Sequence, residues 1–149
     1  MNILIPMAGL ATRFVKEGIM TPKPLIVING KTLIEHTLET LDLEGSYIFV
    51  TRTYEDPKDN EVLSATLQKL RPGSREIRLS APTRGAVETC LAAKEWIDNE
   101  ESLIITNCDQ RTEWDSKAFM GHIGRLQPDG AVVTHPSNDP KHSYAEVCL

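Results

Sequence analysis

Short apolar runs alternate with amphipathic segments along most of this chain. The runs are rich in apolar and β-branched residues, which is typical of buried strands. Between them, apolar residues recur every three or four positions, which is typical of helices with one buried face. The runs predicted as strands are residues 2–6, 47–51, 76–79, 102–106, 130–134 and 144–149. The segments predicted as helices are residues 32–41, 59–70, 85–97 and 116–126.

Strands that alternate with helices indicate a parallel sheet covered on both faces. We therefore predict an α/β protein with a three-layer α/β/α, Rossmann-like, mostly parallel sheet. Residues 102–106 are its expected central, fully apolar strand. Ligands of such sheets bind at the carboxyl ends of the strands. The loops after Pro6, Leu79 and Thr106 are therefore the places where candidate functional residues are sought.

Composition and charge exclude several classes of protein. The chain has 149 residues, of which 40% are hydrophobic and 25% charged, as in an ordinary globular domain. A net charge of −5 argues against a surface that coats nucleic acid. The uncharged N-terminal stretch, residues 1–12, is shorter than the ~20 residues of a membrane span. It also lacks the preceding positive charge of a signal peptide, so we expect a cytoplasmic protein.

The cysteines predict neither a disulfide framework nor a metal site. They are three in number, far apart, and form no C-x-x-C pair. We expect reduced thiols within core elements at Cys90, Cys108 and Cys148. The histidines form no H-x-x-x-H pattern, so zinc chemistry and a Ser-His-Asp triad have no support.

The loop after the first strand has the residue types of an anion-binding loop. Residues 8–14 contain small residues, a hydroxyl at Thr12 and a guanidinium at Arg13. Small residues let backbone N–H groups approach an anion closely, and arginine offers a planar fork to phosphate oxygens. A plain strand-to-helix turn explains the same residues and is preferred for this loop alone. The loop lacks the G-x-G-x-x-G pattern of a dinucleotide site.

Two lysines lie in contexts that suggest phosphate binding. Lys23 lies between two prolines, which stiffen the backbone and could hold its cation where negative charge develops. A solvated surface turn is the alternative, and for this segment alone it is preferred. Residues 29–32 resemble the end of a G-x-x-x-x-G-K-[ST] loop, but Leu25 stands where that motif needs glycine. We therefore interpret residues 29–32 as a turn that leads into a helix capped by Thr32 and Glu35.

Two further loops carry candidate ligand-binding residues. Asp109 follows the strand at 102–106, where a carboxylate faces the ligand crevice and suits Mg²⁺. An Asx turn or a helix cap is the alternative for Asp109. Thr83 and Gly85 join a strand to an alanine-rich helix, and Gly85 would permit close contact with a flat base. Simple N-capping by Thr83 is the alternative there.

Taken together, these loops resemble the sugar-1-phosphate nucleotidylyltransferases, also called nucleoside-diphosphate-sugar pyrophosphorylases. That family opens with a strand and A-G-x-G-[ST]-R-[FLM], followed shortly by P-K-P-[LM]. Residues 8–14 and 22–25 match these two motifs, except that Ala11 stands at the second glycine. Residues 107–109 match the family's central N/G-x-D motif. The three motifs occur in the family's order.

The resemblance implies a role for each candidate residue. Arg13 and Lys23 would be catalytic: Arg13 would bind the β- and γ-phosphates, and Lys23 would neutralise charge at the α-phosphate. Asp109 would hold Mg²⁺, which would bridge the nucleotide and the incoming sugar phosphate. The residues that would bind the nucleotide are Ala8, Gly9, Leu10, Ala11, Thr12, Thr83 and Gly85.

Members of this family are usually longer, so the chain resembles their nucleotide-binding part. We expect residues 1–149 to form a single nucleotidyltransferase domain that is incomplete at its C terminus, with an open strand edge that favours self-association into a homo-oligomer. The implied partners are a nucleoside triphosphate and a sugar 1-phosphate, without nucleic acid or membrane. The alternatives left open are a non-catalytic nucleotide- or sugar-sensing regulatory module, a cytidylyltransferase for a non-sugar phosphate and a related glycosyltransferase. The base and the sugar also stay open.

Overall fold

In a computed structural model of the chain, residues 1–134 and 136–139 are described. The strands are β1 (Asn2–Pro6), β2 (Val27–Ile28), β3 (Lys31–Thr32), β4 (Ser46–Arg52), β5 (Arg75–Leu79) and β6 (Leu103–Ile105). The helices are α1 (Thr12–Lys16), α2 (Leu33–Leu41), α3 (Pro57–Leu70), α4 (Ala86–Leu91), α5 (Lys94–Ile97) and α6 (Ser116–Leu126), with a 3₁₀ helix at Lys23–Leu25. The chain forms two compact units, Met1–Trp114 and Asp115–Leu149. That residues 1–149 make one domain stays a prediction.

Four parallel strands form the main sheet of the first unit, in the order β5-β4-β1-β6. Strand β1 lies inside this sheet, and its Ile3 is paired with Tyr47 on one side and Ile104 on the other. The side chains of Ile3, Leu4 and Ile5 are fully buried, as a continuous apolar run in a parallel sheet requires. The predicted parallel α/β sheet is confirmed.

Successive residues of β4 face two different layers of helices. Ile48 and Val50 lie in a core cluster with Ala93, which stands between α4 and α5. Tyr47 faces the opposite layer, where the Arg71 guanidinium at the end of α3 lies 4.7 Å from the centre of its ring. Helices therefore cover both faces of the sheet, and the predicted three-layer architecture is confirmed.

The second unit contains α6, whose bounds agree with the sequence prediction. The side chain of Asp115 caps this helix by accepting a hydrogen bond of 2.9 Å from the Ala118 amide. Gln127 ends it in the left-handed conformation, with φ 47°. Residues 130–134, predicted as a strand, have no regular structure, so that prediction is wrong. The predicted strand at 144–149 and Cys148 lie outside the described residues.

Two predictions for the first unit also need correction. Residues 85–97 form α4 and α5 rather than one helix, because the chain turns where Ala93 is fully buried against the sheet. Strand β6 pairs only with β1 among the described residues, so within this part of the chain it is an edge strand and not the expected central one. Leu103 and Ile105 are accordingly 38% and 54% exposed. An apolar run does not reveal how many neighbours its strand has.

Residues 29–32 form the turn that the sequence predicts, inside a hairpin that it did not predict. Asn29 and Gly30 both have positive φ, 52° and 81°, and connect β2 to β3 in the manner of an Asn-Gly hairpin turn. Thr32 then caps α2. Its hydroxyl accepts from the Glu35 amide, and its own amide donates to the Glu35 carboxylate at 2.6 Å. The bond from the Thr32 amide, with a second from the Thr32 hydroxyl at 2.7 Å, holds the pKa of the Glu35 carboxyl below its usual value.

No helix within the described residues combines the length and the apolar character that crossing a bilayer requires.

We predict that Leu63→Ala lowers the free energy of unfolding by about 2–5 kcal/mol, the usual cost of a cavity in a packed core. Leu63 is fully buried on α3, whereas its neighbour Val62 is 53% exposed. Val62→Ala is therefore the matched control, and we expect it to stay within about 0.5 kcal/mol of the parent chain. Urea denaturation of the three proteins measures both effects. Equal effects of the two substitutions would contradict the assignment of the inner face of α3.

Candidate active site

The loops that follow β1 and β6 leave the sheet at the same edge, because these neighbouring strands are parallel. The first loop contains Gly9 and Arg13, and the second contains Asp109. The Thr106 amide donates to the Leu4 carbonyl at 3.1 Å, so the second loop begins level with the end of β1. This is the edge at which parallel α/β sheets bind ligands.

The loop after β1 rises out of the core within a few residues. Ala8 is almost fully buried, whereas Gly9 and Leu10 are exposed. Ala11 has φ 52°, a left-handed conformation that alanine adopts at a cost and glycine adopts freely. It stands where the nucleotidylyltransferase motif has its second glycine, so the backbone here has the shape that the motif's glycine would accommodate.

Thr12 and Arg13 form the first turn of α1, and both are exposed. Within the described part of the chain, Arg13 makes no hydrogen bond or ion pair. A Cβ atom added to Gly9 would have no neighbouring atom within 4 Å, so the space beside the loop is open. The guanidinium of Arg13 is therefore available to an anion from solvent.

The central contact of the site is an ion pair between two residues predicted to be functional. The Nζ of Lys23 lies 2.6 Å from Oδ2 of Asp109, and the two side chains are 28% and 33% exposed. Lys23 is the first residue of the 3₁₀ helix, and its chain neighbours Pro22 and Pro24 are both buried. Buried prolines fix the backbone on both sides of the lysine, which limits where its cation can lie.

Helix α2 supports both members of this pair. The Thr37 hydroxyl donates to the Gln110 carbonyl at 3.1 Å, directly after Asp109 in the chain. The Leu33 amide donates to the Ile26 carbonyl at 2.9 Å, just after the 3₁₀ helix that carries Lys23. The sequence analysis predicts a helix at residues 32–41 but gives Thr37 no functional role. The feature of the sequence that could have identified Thr37 is its hydroxyl, which lies on an otherwise apolar face of α2.

Burial controls the chemistry of the thiol beside Asp109. Cys108 is 6% exposed, and burial raises the pKa of its thiol from 9.0 to about 11, with a smaller contribution from the Asp109 charge. The thiol is therefore neutral at physiological pH and suited to packing rather than to nucleophilic attack. Cys90 also has a raised pKa because of burial, and both cysteines are free thiols, as expected. Cys90 lies in α4 and is only partly buried, whereas the buried Cys108 lies in the loop after β6 and not in a core element.

Arg52, at the end of β4, is a further cation that sequence reasoning missed. Its guanidinium lies 4.2 Å from the centre of the Tyr54 ring. Its Nε is buried and has no hydrogen-bond partner among the described residues, which is uncommon for a buried donor. Arg52 follows Val50 by two positions, and Val50 pairs with Pro6 at the start of the first loop.

Thr83 and Gly85 lie on a different part of the sheet edge. They follow β5, which is separated from β1 by β4. The Thr83 hydroxyl lies 2.6 Å from that of Thr89 and 3.3 Å from the Gly85 carbonyl. Gly85, not Thr83, is the N-cap of α4, so simple capping by Thr83 is wrong. Among the described residues, no hydrogen bond joins this segment to Lys23 or Asp109.

Asp109 fits a magnesium site of the kind completed by a substrate. No group of three His, Cys, Asp or Glu side chains in the described ranges would hold a metal unaided. Magnesium in nucleotide sites usually takes one or two carboxylates, with phosphates and water as its other ligands. The Asp109 carboxylate is a hard oxygen donor that is one-third exposed, so it suits this role once Lys23 turns to a phosphate.

A separate cleft opens at the opposite edge of the sheet. It has a volume of about 1010 Å³ and includes Asn2, Ser46 and Arg75, which begin three of the strands. The Arg75 guanidinium covers the Trp96 ring at 3.3 Å from its centre. None of the residues predicted to be functional lines this cleft. We therefore assign the candidate active site to the carboxyl edge, despite the size of the cleft.

Comparison with known proteins identifies the family and the fold of the chain. A family model described as a MobA-like NTP transferase domain matches residues 3–145. One similar solved structure is a nucleoside-diphosphate-sugar pyrophosphorylase from Vibrio cholerae RC9, 28% identical, with a TM-score of 0.60 over 80% of this chain. A comparison with curated protein sequences found no match.

Two more distant structures share the fold. HddC from Yersinia pseudotuberculosis is 22% identical, with a TM-score of 0.57 over 82% of this chain. A UDP-glucose pyrophosphorylase, solved in complex with UDP-glucose, is 19% identical, with a TM-score of 0.55 over 85% of this chain. The chain spans 52%, 53% and 54% of the three solved proteins.

We predict that Cys108 in the folded protein reacts very slowly with iodoacetamide at pH 8. A pKa of about 11 in place of 9.0 lowers the thiolate fraction there about a hundredfold, and burial also blocks access. Labelling followed by peptide mass spectrometry measures the rate at this residue. The same chain unfolded in urea is the control and should react rapidly. Equal rates in the two states would contradict the burial of Cys108.

Proposed function

We propose that this chain, which belongs to the MobA-like NTP transferase domain family, is the nucleotide-binding part of a nucleotidyltransferase. The proposed reaction joins a nucleoside triphosphate to a sugar 1-phosphate and releases pyrophosphate. The observation that carries the proposal is the ion pair between Lys23 and Asp109. It brings together, at the ligand-binding edge of the sheet, a cation suited to a phosphate and a carboxylate suited to a metal.

The reaction requires charge screening more than a protein nucleophile. An oxygen of the sugar phosphate attacks the α-phosphorus of the nucleotide, and a new P–O bond forms. The bond between the α-phosphorus and its bridging oxygen to the β-phosphate breaks, and the electron pair leaves with pyrophosphate. Both reactants are anions, so the protein must align them and neutralise their charge.

Arg13 and Lys23 supply this neutralisation from two directions. The exposed Arg13 guanidinium binds the β- and γ-phosphates and stabilises the charge that develops on pyrophosphate. Lys23 releases Asp109 and binds the α-phosphate, where its fixed backbone keeps the cation in place. The backbone of residues 8–12 wraps the phosphates. Gly85, with Thr83 beside it, contacts the base.

Asp109 would hold Mg²⁺ in the nucleotide complex. The metal, when bound, supplies further positive charge against the phosphate oxygens. Because no group of three His, Cys, Asp or Glu side chains among the described residues could hold the ion, the nucleotide phosphates and water would complete the coordination.

The proposal also specifies a sugar 1-phosphate as the acceptor of the nucleotidyl group. It is supported by the pyrophosphorylase from Vibrio cholerae, which is 28% identical and is named for nucleoside-diphosphate sugars. A cytoplasmic location is part of the same proposal and is compatible with free thiols at Cys90 and Cys108. A screen of pyrophosphate release across nucleoside triphosphates and sugar phosphates would identify the substrates.

We predict that Arg13→Ala and Lys23→Ala each weaken nucleotide binding at least tenfold, as the loss of one charge-assisted hydrogen bond of about 1.5–3 kcal/mol requires. Both variants should keep the melting temperature. Arg13 is exposed and unpaired within the described residues, and an ion pair as accessible as that of Lys23 contributes about 1 kcal/mol or less. Calorimetric titration with nucleoside triphosphates and thermal unfolding measure the two properties.

Lys16→Ala is the matched control for these variants. Lys16 is an exposed cation on α1, one turn beyond Arg13, and the proposal gives it no contact with the nucleotide. It should bind nucleotide as the parent chain does. Undiminished binding by the Arg13 and Lys23 variants would refute their assignment. A large fall in melting temperature would identify them as structural residues.

A further inference from the structure

Helix α2 contains two threonines whose hydroxyls are used in different ways. Thr40 donates to the His36 and Thr37 carbonyls at 3.0 and 3.1 Å, the usual bond of a threonine to its own helix. Thr37 donates instead to the Gln110 carbonyl at 3.1 Å, in a segment 73 positions away. One hydroxyl thus serves its own helix, and the other holds a distant loop.

The burial of Thr37 makes its bond to the loop informative. Thr37 is 2% exposed and lies on the face of α2 that also buries Ile34 and Leu38. A buried hydroxyl costs free energy unless it is hydrogen-bonded, and an apolar residue of the same shape would suit this face better. The position of the hydroxyl therefore requires an explanation beyond the packing of the core.

The other contacts of α2 indicate what is being held. The 3₁₀ helix that carries Lys23 packs against α2, and the Ile26 carbonyl accepts from the Leu33 amide at the start of α2. The Trp114 indole donates to the Thr40 carbonyl at 2.6 Å and ties down the far end of the loop. One rigid helix thus supports the segments on both sides of the ion pair between Lys23 and Asp109.

We propose that Thr37 is a positioning residue, which sets the place of Asp109 opposite Lys23 by fixing the carbonyl of Gln110. This inference rests on the proposed function, because it assigns Asp109 to the metal of the nucleotide complex. Without the Thr37 bond, the backbone after Asp109 is free to shift, and a displacement of about 1 Å at a reacting centre can cost ~10²-fold in rate. The role belongs to Thr37 and not to α2 threonines in general.

The test compares Thr37→Val, which keeps the shape and removes the donor, with Thr37→Ser, which keeps the donor. Thr40→Val is the matched control on the same helix. Nucleoside triphosphate affinity is titrated for each protein with Mg²⁺ and with EDTA. The measured quantity is the factor by which Mg²⁺ raises the affinity over that in EDTA. We expect this factor to be roughly five- to tenfold smaller in Thr37→Val than in the parent chain, as the loss of one hydrogen bond predicts. Its affinity in EDTA should not fall, because a displaced Asp109 competes no better with the nucleotide for Lys23. Thr37→Ser should recover the gain, and Thr40→Val should match the parent chain.

An independent readout needs no nucleotide. Amide hydrogen exchange at residues 109–111 of the free protein should be faster in Thr37→Val than in the parent chain or in Thr40→Val. If Thr37→Val is not folded, Thr37→Ala replaces it. An unchanged metal-dependent gain, an equal loss with and without Mg²⁺, or unchanged exchange would overturn the role of Thr37. If the parent chain binds no nucleotide, the proposed function fails, and the exchange measurement still decides whether Thr37 holds the loop.

Discussion

The parallel hydrogen bonding of β1 on both of its edges determines where the loops with Arg13 and Asp109 begin. Strand β1 pairs with β4 on one side and with β6 on the other, and its three central side chains are fully buried. Two backbone bonds continue this ladder beyond the strands, from the Met7 amide to the Val50 carbonyl and from the Thr106 amide to the Leu4 carbonyl. The loops after β1, β4 and β6 therefore leave one edge of the sheet from fixed starting points.

The ion pair between Lys23 and Asp109 belongs to this edge, and its value lies in placement rather than in stability. A pair in which both side chains are about one-third exposed gains little free energy in water. It nevertheless places the cation that we propose for a phosphate 2.6 Å from the carboxylate that we propose for the metal, before any ligand arrives. Binding of a nucleotide with its metal would exchange partners, so that each charge stays neutralised and neither is left unpaired during the exchange.

Features set by local chemistry were predictable from the sequence. The apolar run of β1 and the apolar stripe of α6 gave their bounds, and the Thr32–Glu35 pair gave the capping box of α2. Features set by distant neighbours were not predictable. The exposure of Leu103 depends on how many strands flank β6, and the break between α4 and α5 falls where Ala93 packs against Ile48 and Val50, which are distant in the chain. Likewise, the pairing of Lys23 with Asp109 and the bond from Thr37 join residues far apart in the chain, so no local pattern indicates them.

The most direct test of the exchange of partners is the effect of Asp109→Asn on nucleotide affinity, measured with and without Mg²⁺. In EDTA, the Asp109 carboxylate competes with the nucleotide for Lys23 and repels its phosphates, so the substitution should tighten binding. With Mg²⁺ present, the same substitution removes a metal ligand and should weaken binding. A change of the same sign under both conditions would contradict the exchange and would leave the ion pair as a structural contact.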